Sequence, residues 1–485
     1  MTRKSFLGAL AGAAALPAQP RRRNVVFILA DDHRYDFAGA LGHPWLKTPH
    51  IDRLIRGGTV FRNAFVTTSL CSPSRASLLT GLYAHAHRVT DNFTPLDPSL
   101  PIFPGLLRQA GYRTAFVGKW HMGGASDEPR PGFDHWVSFF GQGQYFDPEI
   151  NVNGARRKTS GYVTDILSEQ ALSFLRDNSA RPFCLYLSHK AVHYPFEPAP
   201  RHRDLYRDAP VPRPRSMNFT EEDMRQRPEW VRRRRYARQG VDGLYGHEIS
   251  FDEAYRGYAR SLAAVDDSTG AVLGELARLG LLDDTLVIYM GDNGLMWGEH
   301  CLTDKRAMYE PSIRVPMWIH CPRLAPPGST VSEMALNLDI APTILDAAGV
   351  AVPKNMQGRS LLPLLRGERA GWRQDFLYEY DWEFDYPYTP TLTGLRTERY
   401  SYCQTYGLWD LDELYDVAAD PGQMNNLLGS VRIVRQRGRL TEHIPDPKLK
   451  SLVESLQDRM KRILEETGGD PRRSGRSPEG LKYAL

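Results

Sequence analysis

The chain has 485 residues, 41% of them hydrophobic and 24% charged, the balance of a globular protein with ample length for a core. This excludes a collagen-like, disordered or polytopic membrane chain. Sixty-one Lys and Arg against 57 Asp and Glu leave a net +4, too weak a bias to imply a nucleic-acid partner. At roughly 150 residues per domain the length allows about three domains, and two unequal ones fit best.

Residues 1–20 read as an export signal: basic Arg3 and Lys4, an apolar stretch from Phe6 to Leu16, and small Ala18 near a cleavage point. Thr2–Leu7 is similar to a twin-arginine signal, with Lys4 in the second arginine's place. The expected location is periplasmic or extracellular. That apolar stretch is too short to span a bilayer, which needs about 20 apolar residues, so no stable membrane insertion is expected. After it, apolar runs alternate with amphipathic stretches, which predicts βαβ units and a large, mostly parallel sheet between helices. Strands are expected at Asn24–Leu29, Thr114–Val117, Phe183–Ser188 and Thr285–Met290, and helices at His50–Gly57, Phe103–Ala110 and Asp252–Leu279.

Polar residues recur just beyond these strands: Asp31-Asp32, Gly118-Lys119-Trp120-His121, His189 and His193, and Gly291-Asp292-Asn293-Gly294. In open α/β sheets ligands bind outside the carboxyl ends of strands, so these positions can converge. A Pro- and Arg-rich segment, Pro195 to Gly243, reads as a surface insertion, and its Arg232–Arg235 run as a solvated helix face ahead of a polyanion-binding patch. Near Gly367 the texture changes to aromatic, short-strand material (Phe376–Tyr388, Gly394–Tyr402), an acidic turn at Asp416–Asn426 and a helix from Lys448 to Glu466. Residues 21–366 are thus read as the main α/β domain and 367–485 as a smaller α+β domain with an antiparallel sheet and a terminal helix. The residues from Gly468 read as a loose tail.

Five cysteines are too few for a disulfide scaffold, and an odd number leaves at least one unpaired. Cys71-Ser72-Pro73-Ser74-Arg75 opens a helical segment that stops at Gly81, which puts residue 71 at a helix N-terminus. On residue type alone it reads as a buried structural cysteine or as a low-pKa thiolate nucleophile. Asp31, Asp32, Asp292 and Asn293 offer hard oxygen donors suited to calcium, with magnesium next, although each pair also reads as a turn. Among the remaining cysteines, Cys184, Cys301, Cys321 and Cys403, spacing gives no connectivity.

The segment Cys71, Pro73, Ser74, Arg75, Leu79, Thr80 and Gly81 resembles the signature of the type I, formylglycine-dependent sulfatases of the alkaline phosphatase-like superfamily. The resemblance continues in order through Asp31-Asp32, Gly118–His121, His193, Asp292-Asn293 and Asp304-Lys305. It implies hydrolysis of sulfate esters, with Cys71 oxidised to formylglycine by a formylglycine-generating or anaerobic sulfatase-maturating enzyme. It also implies a Ca2+ ion (Mg2+ as runner-up) on Asp31, Asp32, residue 71, Asp292 and Asn293. Arg75, Lys119 and Lys305 would be positive charges around the sulfate, with His121 at the diol and His193 at the leaving oxygen. Local wording from Gly298 to Pro316 and at Glu413–Leu427 looks like the N-acetylglucosamine-6-sulfatase branch, implying a 6-O-sulfated glycan. His300, Asp381, Trp382 and Glu383 are the candidate sugar contacts. The rivals are an aryl sulfate substrate, a phosphonate monoester or phosphodiester hydrolase of the same superfamily, and a non-catalytic sulfoglycan-binding protein.

Overall fold

A computed structural model describes residues 22–124, 126–407, 410–436 and 439–474. The export segment 1–20 lies outside them. The frame is a ten-stranded mixed sheet. Its strands in chain order are β1 (Asn24–Ala30), β2 (Thr59–Phe61), β3 (Arg113–Gly118), β4 (His135–Ser138), β5 (Glu149–Val152), β6 (Ala155–Lys158), β7 (Phe183–Ser188), β8 (Thr285–Gly291), β9 (Met317–His320) and β10 (Ser329–Val331). The spatial order is β10-β2-β9-β8-β1-β7-β3-β4-β5-β6, and the five central strands β8-β1-β7-β3-β4 run parallel.

Parallel central strands are buried on both faces, and that explains their continuous apolar runs. Along β1, Val26, Ile28 and Ala30 face one core, and Val25, Phe27 and Leu29 face the other. The first core is closed by α1 (Pro49–Gly57), α4 (Val163–Asn178) and the long α5 (Phe251–Arg278). The second is closed by α2 (Cys71–Thr80), α3 (Phe103–Gln109) and α6 (Ile340–Ala347). The sheet sandwiched between helices agrees with the sequence expectation.

The C-terminal domain is built on an antiparallel sheet, β11 (Asp375–Tyr380), β12 (Leu392–Thr397), β13 (Tyr400–Thr405) and β14 (Glu413–Asp416), covered by α7 (Pro447–Thr467). Three sequence expectations change here. Residues 195–243 are not only a surface insertion, because Phe219, Met224, Trp230 and Val231 share the apolar core of this sheet. Arg234 is buried rather than solvated: its guanidinium donates to the carbonyls of Thr303, Lys305 and Arg306 at 3.0, 2.5 and 3.3 Å. Residues 469–474, the described part of the expected tail, are also docked, since Gln404 donates to the Arg473 carbonyl at 2.7 Å and Arg473 pairs with Asp381 at 3.0 Å. All five cysteines are buried and free. No helix among the described residues is long and apolar enough to cross a membrane.

Candidate active site

The carboxyl ends of the central strands deliver the polar residues to one place. Asp31 and Asp32 follow β1, Lys119 follows β3 and Asp292-Asn293 follow β8, while Ser188 ends β7. Asp32 takes a positive φ of 56°, which turns the chain sharply after the strand. Helix α2 points its N-terminus into the same spot. Leu70 there is extended and Gly81 closes the helix in the left-handed conformation at φ 68°. Cys71 is the first helical residue, fully buried. Its thiol donates to Asp31 Oδ1 at 3.6 Å and accepts from Lys305 Nζ at 3.2 Å.

Arg75, one turn along α2, ties the strand ends together. Its Nε and Nη2 lie 2.9 and 2.8 Å from Asp292 Oδ2, and Nη1 donates to the Lys119 carbonyl at 2.6 Å and Ser188 Oγ at 2.7 Å. Lys119 pairs with Asp31, and Lys305 with Asp32. The Asp32 N–H donates to Asp292 Oδ1 at 2.9 Å, and Asn293 Nδ2 donates to Asp32 Oδ1 at 2.5 Å. His121 Nδ1 lies 3.2 Å from Ser72 Oγ, and His193 Nε2 lies 4.0 Å from Asp32 Oδ2.

The titration states follow from this crowding. Burial opposes the charge of Asp31, yet Lys119, His193 and Arg75 hold its carboxyl well below the usual range. Burial and the neighbouring Asp31 push Asp292 up, and burial raises Asp32 against the pull of Lys305. His121 and His193 are held neutral, by burial first and then by the charge of Lys119. Burial pushes the Cys71 thiol up to about 12, against Lys119 and Lys305. Burial therefore works against a low-pKa thiolate at the unmodified residue.

The donor set fits a hard divalent cation. Ligand atoms of Asp31, Cys71 and Asp292 lie within 4.8 Å of one another. The Asn293 Oδ1 acceptor is buried without a hydrogen-bond partner. An unpaired buried amide oxygen beside mutually repelling carboxylates is a donor set that suits a hard cation.

A cavity of about 270 Å³ opens onto this cluster, lined on its polar side by Asp32, His193, Asp304, Lys305 and Arg306 and on its apolar side by aromatic residues such as Trp297. The four expected sugar contacts are not among its lining residues. His300 is buried and stacked on Tyr309 at 3.8 Å, facing a separate cavity beside Arg34 and Arg215. Asp381 is held by Arg473, and Glu383 accepts from Arg306 Nε at 2.7 Å and from the Tyr380 hydroxyl at 2.9 Å. Trp382 lies at the surface, 49% exposed. The C-terminal domain lines the cavity with Tyr386 instead, whose ring stacks 3.4 Å from the Arg306 guanidinium.

Sequence reasoning missed Arg306, Tyr386, Asn92 and Lys190. Asn92 lines the cavity and accepts from the Ser72 N–H at 3.1 Å. Lys190 lies 4.6 Å over the Tyr145 ring, its pKa lowered to about 8 by burial and by Lys119. Its place directly after a strand was the available signal; Asn92 sits in an irregular loop and offered none.

Comparison with known proteins matches residues 23–350 to the sulfatase family model and residues 298–450 to the model of the N-sulphoglucosamine sulphohydrolase C-terminal region. The chain is 33% identical to an N-acetylglucosamine-6-O-sulfatase of Bacteroides thetaiotaomicron, over 87% of this chain and 86% of that one. It is 31% identical to the N-acetylglucosamine-6-sulfatase of Homo sapiens, over 88% and 84%. A solved structure of a protein in complex with its substrate D-glucosamine-2-N,6-O-disulfate superposes with a TM-score of 0.82 at 30% identity, covering 93% of this chain and 99% of that one. The family model spans well over half of the chain, the sheet and its C-terminal partner have that family's architecture, and the polar cluster lies at the strand ends. The chain belongs to the sulfatase family of the alkaline phosphatase-like superfamily and is a sulfuric ester hydrolase.

Proposed function

We propose that the protein is an exported exo-sulfatase that removes the 6-O-sulfate of N-acetylglucosamine in sulfated glycans. In this reading its residue 71 is converted from cysteine to formylglycine by a dedicated maturating enzyme. The observation that carries the reading is the position of Cys71 Sγ, 3.2 Å from Lys305 Nζ and 3.6 Å from Asp31 Oδ1 at the mouth of a helix N-terminus. The names of the relatives support the sugar. As a hydrated aldehyde, residue 71 would supply one hydroxyl to attack sulfur and a second whose deprotonation releases sulfate and restores the aldehyde.

Asp31, Asp32, Asp292 and Asn293 are the residues that would hold Ca2+. The ion would acidify the diol and offset charge on the sulfate oxygens. Lys119 and Lys305 neutralise the sulfate, and Arg75 keeps Asp31 and Asp292 aimed at the same point. His121, anchored by Ser72, takes the proton of the second hydroxyl. His193 lines the cavity and hands a proton to the departing sugar oxygen. A bound sulfate offsets the positive charge of Lys119 near His193 and raises its proton affinity, the direction a general acid needs.

The test is a parallel assay of native-host protein on N-acetylglucosamine-6-sulfate, an aryl sulfate and an aryl phosphodiester. The reading expects the highest kcat/KM on the 6-sulfated sugar. Higher efficiency on the phosphodiester would contradict it, and activity on the aryl sulfate alone would remove the sugar assignment.

A further inference from the structure

Lys190 is a buried cation just beyond the end of β7. The chain goes straight on to His193, so Lys190 sits in the short turn that carries His193 to the cavity. It is 2% exposed, and among the described residues its ammonium has no ion pair. An ammonium taken out of water without a paired carboxylate is costly and needs another partner. That partner is the face of the Tyr145 ring, 4.6 Å from Nζ, and a cation over an aromatic face gains most where water is excluded. Asp31, Glu197 and Asp32 attract the charge from further off, and Lys119 repels it. Burial, followed by Lys119, lowers the pKa only to about 8, so the group is still protonated at pH 7.

Tyr145, itself 2% exposed, lies between β4 and β5. Its ring stacks on Tyr162 with centroids 5.8 Å apart, and its carbonyl accepts from the Val163 N–H at the start of α4 at 2.8 Å. The ring is thus fixed to the frame, and its hydroxyl donates to the His193 carbonyl at 2.7 Å. The His193 N–H in turn donates to the Lys190 carbonyl at 3.1 Å. Side chain, ring, hydroxyl and backbone therefore form one closed circuit, Lys190 to Tyr145, Tyr145 to His193 and His193 back to Lys190. The middle of the turn has its own anchor, since Ala191 and Val192 exchange backbone hydrogen bonds with Asp31 at 3.0 and 2.8 Å. The His193 end has the Tyr145 hydroxyl. A cation against the ring draws electron density from it and makes that hydroxyl a stronger donor. At His193 itself, Nδ1 donates to the Tyr194 carbonyl at 2.5 Å, which leaves Nε2 as the nitrogen that exchanges a proton.

We propose that Lys190 is a positioning residue of the sulfatase reaction: through the Tyr145 ring and hydroxyl it holds His193 at the leaving oxygen of the substrate. The inference rests on the reading of His193 as the group that protonates that oxygen, and adds how His193 is held. A displaced His193 slows the departure of groups that need a proton to leave. A sugar oxygen needs one and a nitrophenolate does not. The signature of Lys190 is therefore a loss that depends on the leaving group, which a general weakening of the fold does not give.

The experiment measures kcat/KM of wild-type protein and of Lys190→Met, Lys190→Arg, Tyr145→Phe, the double variant Lys190→Met with Tyr145→Phe, and His193→Ala, all from the native host. Substrates are N-acetylglucosamine-6-sulfate and 4-nitrophenyl sulfate. Lys190→Met keeps the volume and deletes the charge. It should lose about tenfold more on the sugar sulfate than on the nitrophenyl ester, the scale of one desolvated cation–π contact. Lys190→Arg should keep most of the wild-type ratio. Tyr145→Phe should show the same selective loss, and the double variant should fall no more than about twofold below the poorer single one. Equal losses on both substrates, additive losses in the double variant, or an arginine variant as poor as the methionine one would overturn the inference. If Lys190→Met does not fold, as thermal unfolding reports, Lys190→Gln takes its place. His193→Ala separates the two levels. Equal losses on both substrates there would refute the role of His193 and the inference with it, while a selective loss there with none in Lys190→Met refutes Lys190 alone. If the sugar sulfate is not turned over, the 6-sulfate reading fails separately, and phenyl sulfate, whose phenolate leaves less readily than nitrophenolate, replaces it in the same comparison. If only the sugar sulfate is turned over, the double-variant cycle on it decides.

Discussion

Replacing Arg75 by methionine deletes the one side chain that touches four of the strand-end groups at once. The guanidinium is 1% exposed, pairs with Asp292 at 2.8 Å and approaches Asp31 at 3.6 Å, and also donates to the Lys119 carbonyl and Ser188 Oγ. Its loss leaves Asp292 without its cation, and Asp31 with Lys119 as its direct ion pair. Breaking one side of a buried pair costs about 3–5 kcal/mol. With a denaturant slope of several kcal/mol per molar for a chain of this size, the urea midpoint should fall by about 1 M. Ca2+ should recover part of that loss, since a divalent ion replaces the missing positive charge between the same carboxylates. Arg75→Lys should recover little, because an ammonium cannot span the acceptors that the planar fork does. The assay is urea unfolding followed by tryptophan fluorescence, with and without Ca2+. A midpoint shift for Arg75→Met below about 0.2 M would refute the claim that this residue organises the cluster.

Arg234→Met should lower kcat/KM by about tenfold to a hundredfold, the worth of one charge-assisted hydrogen bond, because its carbonyl contacts hold Lys305 and Arg306 in place. Arg234→Lys should restore part of it, and an unchanged kcat/KM in the methionine variant would show that the loop holds itself. Asp266 accepts from the His50 and Ile51 N–H groups at the start of α1, and burial raises its pKa from 3.8 to about 6. A raised acid favours folding while protonated, so its stabilising contribution is full below pH 4 and is lost as pH rises through 6, about 3 kcal/mol in all. Asp266→Asn should therefore gain stability relative to wild type between pH 4 and 7 in thermal unfolding; a pH-independent difference would count against it. Exhaustive chelation should lower the thermal midpoint and remove activity, with Ca2+ restoring both, since ligand at a hundredfold Kd adds about 2.7 kcal/mol. Metal-free protein of full stability and activity would contradict the cation site.

The sheet was legible because fully buried parallel strands leave an unambiguous trace. The uninterrupted apolar runs at Asn24–Leu29, Phe183–Ser188 and Thr285–Met290 match β1, β7 and β8 to within a residue. The polar residues just after them were legible for the same reason, since strand direction alone sends them to one edge of the sheet. What failed was reading chemistry from local composition. Arg234 looks like its solvated neighbours in the run, yet it enters a pocket of backbone carbonyls that only the distant loop 303–306 creates. His300, Asp381 and Glu383 have the chemistry of sugar contacts, and in the structure they touch Tyr309, Arg473 and Arg306. Partners far apart in sequence decide such positions, and no spacing rule encodes them. Trp382 is exposed on the surface and does not line the cavity.

The parity of the cysteines carries no information about disulfides, since all five are free and Cys71 stands apart among the strand-end carboxylates. The slight net charge is equally uninformative about anion binding, because the charges that face the site, Arg75, Lys119 and Lys305 among Asp31, Asp32 and Asp292, are local and buried. Peptide mass spectrometry of the Cys71 segment from active native-host protein is the most direct measurement. The account predicts that the CH2SH group of residue 71 is replaced by an aldehyde or its hydrate, in a fraction that tracks specific sulfatase activity across preparations. Fully active protein with an unmodified thiol at position 71 would contradict it.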